Sequence, residues 1–179
     1  EEPIPFLAIG LGVAVVLLSS DHKLIVSRRS LKAGARPGEL DVSFVEGVHH
    51  ELDRASAHKG PDLYRTAIRG AKEEVGIELN RSAIHFLGFG VDLEYYQWNV
   101  IGMARLSQTA EDALSARTRG LSGKWETRTF EYVDARPDAL WKFLRDEKLW
   151  ATGWVALYWS LVREYGKSRV DESAQLHLH

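Results

Sequence analysis

The stretch Pro61–Ile77, PDLYRTAIRGAKEEVGI, sets how the rest of the sequence is read. Gly60-Pro61 punctuates its start. Proline suits a first helical turn, and Asp62 places negative charge at the positive end of the helix dipole. Leu63, Ala67, Ala71 and Val75 recur every four residues, with Tyr64 and Ile68 beside them, which predicts one apolar helix face. Gly76 then predicts a left-handed helix stop. The polar face holds Arg69, Glu73 and Glu74. Position 70 precedes the two glutamates by three and four residues, so the periodicity puts it on their side of the helix. Two readings of this face are open. One is a solvated surface with an Arg69–Glu73 pair at i, i+4. The other is a pair of hard carboxylate ligands for a divalent cation.

Read with Gly47 upstream, the run Arg69, Ala71, Glu73, Glu74, Gly76, Ile77 resembles the second half of the Nudix box. That family's pattern opens with Gly, reaches a Glu six positions later, and continues to Arg-Glu, an apolar residue, Glu-Glu and Gly. Gly47 matches the opening glycine, and Asp53 stands where the family has its first Glu. The sequence departs from the pattern twice. The step from Asp53 to Arg69 is eight residues longer than the box, and Gly70 replaces the Glu that follows the Arg. The resemblance implies an α/β fold, a Nudix-type α/β/α sandwich with a mixed β-sheet.

Composition fits a soluble single-domain protein: 45% apolar and 27% charged residues over 179 positions. The expected domain spans residues 1–166, followed by a polar tail over 167–179 that frays after Gly166. A net charge of −2 gives no global basic surplus to attract nucleic acid. Cysteine is absent, which removes disulfides and thiolate chemistry and is compatible with the cytoplasm. The apolar run Ile4–Leu18 is interrupted by Pro5, Gly10 and Gly12. It is too short for a spanning helix and reads as a buried strand, so no membrane partner is expected. The chain opens Glu-Glu-Pro without Met, as a processed chain or part of a longer protein with further domains would. A homodimer stays open.

Around the helix, a strand ending at Leu18, a polar turn at Ser19–Lys23 and a returning strand Leu24–Arg28 are expected. A strand Asp41–Val45 leads to Glu46-Gly47, where Glu46 occupies the place of another glycine. Two aromatic-rich strands cover Ile84–Val91 and Tyr95–Leu106. Ser107–Arg117 reads as a short helix, Trp125–Val133 as a strand, and Pro137–Arg145 and Thr152–Tyr165 as helices. The histidines His49, His50 and His58 fall at spacings poor for zinc. Any one of them is a polar loop residue or a general base.

The resemblance implies hydrolysis of a nucleoside diphosphate linked to another group, a nucleotide sugar among the options, with Mg2+ or Mn2+ as cofactor. It assigns Glu73 and Glu74 to the metal and Arg69 to orienting a glutamate. Gly47 belongs to the turn before the helix. Arg28 and Arg29 end their strand as charged residues facing solvent or as phosphate contacts. Loss of the box Glu at position 70 calls for another carboxylate. Glu126 is the first candidate, with Glu131, Glu51 and Glu94 behind it. The other reading is a Nudix-fold domain that binds or senses a small nucleotide derivative without turning it over.

Overall fold

A computed structural model describes residues 10–33, 36–54, 56, 60–94, 96–120 and 128–178. Its centre is strand β1 (Leu11–Leu18), LGVAVVLL, buried along nearly its whole length. A strand covered on both faces reads as a continuous apolar run rather than an alternating one, which is why this segment carries no polar residue. Val13, Val15 and Leu17 face one apolar layer, and Ala14, Val16 and Leu18 face another.

β1 pairs parallel with β6 (Gln97–Arg105), which in turn pairs antiparallel with β5 (Ile84–Asp92). On its other edge β1 changes partner. Gly12–Val15 lie against β4 (Phe44–Gly47), and Leu17–Leu18 against β2 (Lys23–Arg28). β2 also pairs with the two-residue β3 (Leu40–Asp41) and with β7 (Thr129–Asp134). The expected strand Asp41–Val45 is thus two short strands broken at Val42-Ser43. Ser43 explains the break: its buried hydroxyl accepts from the Leu17 amide at 2.8 Å and donates to the Ile25 carbonyl. It fills the fork where β1 leaves β4 for β2, where the main chain alone leaves groups unpaired.

One face of this mixed sheet is covered by α1 (Leu63–Gly70), whose Ala67 packs with Val13, Val15 and Phe44. The other face is covered by α3 (Pro137–Leu144) and α4 (Ala151–Tyr165), through Leu140, Trp141, Leu157 and Leu161. The architecture is an α/β/α sandwich. A further helix, α2 (Ala110–Gly120), starts where the Asp21 carboxylate of the β1–β2 turn accepts from the Ala110 amide.

Two expectations are corrected. α1 begins at Leu63, not at Pro61. Asp62 is its N-cap, and its side chain accepts from the Tyr64 amide. The chain after Gly166 does not fray: Lys167–His177 form α5, with Val170 fully buried against the α3–α4 layer. A single apolar anchor on a polar helix leaves little periodicity to read. Among the described residues no helix is long and apolar enough to cross a membrane.

Candidate functional site

The segment after α1 does not continue as a regular α-helix. Ala71–Val75 widens into a π-helical turn, closed by Gly76 at φ 77° with its amide on the Lys72 carbonyl. Such wide turns redirect side chains and occur often at functional sites. Ala71 and Val75 stay buried, Glu73 is exposed and Glu74 is half-buried. The two glutamates therefore stand at the rim of the helix. Gly70 does not share their open side: it is buried against β4.

Arg69 organises the space between the helix and β4. Its Nε and Nη2 donate to the two oxygens of Asp53 at 3.0 and 2.9 Å. Nη2 also donates to the Gly47 carbonyl at 2.7 Å. Nη1 lies 2.7 Å from Glu46 and 3.7 Å from Glu73. Burial works to raise the Asp53 carboxyl, but the Arg69 fork, the His49 amide and the Thr66 hydroxyl outweigh it and hold it below the usual carboxylate value. Glu46 moves the other way. Burial raises it, Arg69 only partly opposes this, and the neighbouring charges of Glu74 and Glu73 add to the rise. Arg69, held mainly by Asp53, stays protonated at any ordinary pH.

Sequence matches and structural matches differ here. Compared by sequence, the chain matches no family model and no curated protein. By structure it is similar to a MutT protein from Methanosarcina mazei Go1, at TM-score 0.57 and 16% identity over 87% of this chain and 94% of that one. It is also similar to an ADP compounds hydrolase, at TM-score 0.55 and 24% identity over 89% of this chain and 74% of that one. A MutT/nudix family protein from Enterococcus faecalis matches at TM-score 0.55 and 14% identity, over 92% and 66% of the two chains. The chain has the Nudix fold.

Of the residues singled out from the sequence, Gly47, Arg69 and Glu73 come together around one guanidinium. Glu74 lies beside them, its carboxylate 3.9 Å from Arg128 Nε. Arg29 is placed on the same side: it lines a small cleft with Ser30 and Arg128. Arg28 is not available for phosphate. Its five donors go to Glu131, Glu147 and the Gly38 carbonyl, and Glu147 above all holds it protonated. Glu131 is thereby taken as well. Glu126 and His58 lie outside the described residues. His49 is tied locally, its Nδ1 accepting from the Glu51 and Leu52 amides.

Sequence reasoning missed Arg128 and the role of Glu46. Arg128 is mostly buried, and among the described residues its Nη1 has no hydrogen-bond partner. A buried guanidinium nitrogen without a partner, next to a carboxylate rim, is suited to an anion. Glu46 had one signal, its position in the place of a glycine, but its contact with the helix appears only once β4 is laid against α1.

A divalent cation fits the donor chemistry. Glu73 and Glu74 offer hard, accessible oxygens, while among the described residues no three His, Asp or Glu side chains close on one point. Magnesium asks for this kind of site: it keeps waters and binds through one or two carboxylates plus substrate phosphates. On the other side of the sheet, at the same end, lies a cavity of about 150 Å³. Gly12 of β1 is in register with both Gly47 and Asn99, so Asn99 in the cavity wall is two strands, about 10 Å, from the Gly47 turn. Phe89, stacked on Trp98, Val91, Ile101 and Val155 give the cavity region its apolar character. Thr152 and Asp92 add polar groups.

Proposed function

We propose that this chain is a hydrolase that cleaves the diphosphate of a nucleoside diphosphate linked to another group, with magnesium or manganese as cofactor. The observation that supports it best is the pair Glu73–Glu74, set at the rim of the wide helical turn. Arg69 Nη1 lies 3.7 Å from Glu73, and Arg128 Nε lies 3.9 Å from Glu74. Carboxylates for a cation and a guanidinium for a phosphate then stand on one side of one helix.

In the reaction a water oxygen bonds to one phosphorus and the bridging P–O bond breaks, leaving two phosphate products. When bound, the cation supplies charge neutralisation on the phosphate oxygens and lowers the pKa of its water. Glu73 and Glu74 would hold it. Arg69 fixes the Glu73 side of the helix through its bonds to Asp53, Glu46 and the Gly47 carbonyl. Arg128, with Arg29 beside it, draws and orients the diphosphate. The cavity at Asn99 receives an apolar or flat part of the substrate, such as a nucleobase or the linked group. Glu126 stays a candidate for the proton acceptor. The ADP compounds hydrolase among the structural neighbours agrees with a nucleoside diphosphate derivative as the substrate class.

The test is a panel of nucleotide sugars, dinucleotides and nucleoside triphosphates, assayed with Mg2+ and Mn2+ for phosphate-bond cleavage. Turnover of at least one member, lost in Glu73→Gln, is the expected result. Gly70 favours a second reading, a domain that binds a nucleotide derivative without cleaving it, because a box carboxylate is absent there. Binding without turnover across the whole panel, with Glu73→Gln unchanged, replaces the first reading by the second.

A further inference from the structure

We propose that Glu46 supplies, from strand β4, the carboxylate that position 70 of the helix lacks. The inference rests on the hydrolase reading above and deepens it.

The contact is steric first. A Cβ built on Gly70 would lie 2.5 Å from the Cβ of Glu46 and 2.9 Å from two atoms of the Phe44 ring. Real Cβ atoms do not approach so closely, and Phe44 is fully buried and cannot give way cheaply. The space between β4 and the helix is thus filled by Phe44 and Glu46 and leaves no room for a side chain at position 70. The carboxylate at this contact comes from 46.

The carboxylate is delivered to the same place. Glu46 immediately precedes Gly47, whose carbonyl already accepts from Arg69. Its Oε1 is 2.7 Å from Arg69 Nη1, the nitrogen that is 3.7 Å from Glu73. Glu46 and Glu73 therefore share one guanidinium nitrogen, and Glu46 has the nearer position.

The charge balance gives this arrangement its function. Asp53 already neutralises Arg69. Glu46 adds a further negative charge on the side of Glu73 and Glu74, and it occupies Nη1, which would otherwise close on Glu73. Glu73, exposed and held only at 3.7 Å by that nitrogen, keeps its carboxylate accessible to a cation. Glu46 is thus a positioning residue, acting through Arg69, and a source of negative charge at the cation site.

The experiment compares the unaltered protein with Glu46→Gln and Glu73→Gln. Each is checked for folding by circular dichroism and thermal melting. Mn2+ binding is read by electron paramagnetic resonance without substrate, and cleavage is read separately. Glu46→Gln, which keeps the shape and removes the charge, is expected to weaken Mn2+ binding about 10–100-fold, the usual effect of losing a group that orients a ligand. Unchanged Mn2+ binding in Glu46→Gln, with binding lost in Glu73→Gln, overturns the role of Glu46 and leaves the hydrolase reading standing. No Mn2+ binding by the unaltered protein, with or without a nucleotide of the panel present, removes both readings.

Discussion

Asp53 is fully buried and receives two arms of the Arg69 guanidinium, although sixteen positions of chain separate the two residues. The same carboxylate accepts from the His49 amide at 2.7 Å and the Thr66 hydroxyl at 2.9 Å. It therefore ties the segment His49–Asp53 to α1 at both Thr66 and Arg69.

Removing one partner of a buried, hydrogen-bonded ion pair leaves the other charge uncompensated. Asp53→Asn is expected to lower stability by about 3–5 kcal/mol, measured by urea unfolding. The pH dependence has a definite sign. The folded pKa of Asp53 is below its ordinary value of 3.8, so its contribution is fully present above pH 3.8 and is lost as pH falls through the lower folded value. The unaltered protein should lose stability over that acid range, and Asp53→Asn should show a shallower loss there.

Gly70→Ala tests the β4–α1 contact directly. Exchanging Gly for Ala inside a helix is ordinarily stabilising. Here the new methyl meets the Glu46 side chain and the Phe44 ring, and overpacking of this kind costs about 1–3 kcal/mol. A lowered melting temperature is expected. A rise would show that β4 yields easily at this point.

These two sites mark what the sequence can and cannot tell. The helix, its apolar face of Leu63, Ala67, Ala71 and Val75, and the stop at Gly76 follow from local periodicity and turn chemistry, and all appear in the structure. The same holds for β1 and for α3, with Pro137 at its first turn. Long-range pairing is different. Arg28 meets Glu131 and Glu147 across 103 and 119 positions, and nothing local signals that its donors are spent. The Glu46–Gly70 contact also needs the sheet in place. The widened turn at Ala71–Val75 leaves no mark in a four-residue repeat, so position 70 reads from sequence as the neighbour of Glu73 on the open face.

Arg128 tests the phosphate side of the site. Its Nη1 has no hydrogen-bond partner among the described residues, so Arg128→Gln gives up no bond at that nitrogen. A substrate phosphate would satisfy that nitrogen, and a hydrogen bond to a charged group is worth about 1.5–3 kcal/mol, or roughly tenfold or more in affinity. On any substrate found in the panel, KM is expected to rise by about that factor. An unchanged KM would remove Arg128 from the phosphate side of the site.

The last helix is a further test of how the core is closed. α5 is polar along most of its length, yet Val170 is fully buried in the layer formed by Leu140, Trp141 and Leu161, and Ala174 packs beside it. Asp171 accepts from the Tyr158 hydroxyl at 2.7 Å, joining α5 to α4, and the Arg145 guanidinium of the segment after α3 donates to the His177 carbonyl. Ending the chain at Gly166 exposes this apolar layer and breaks those bonds. Burying one Val side chain is worth about 1.5–3 kcal/mol, so the shortened protein is expected to lose at least that much in urea unfolding. Val170→Ser in the full chain should reproduce most of the loss. A shortened protein as stable as the full one would mean that α5 lies on the α3–α4 layer without supporting it.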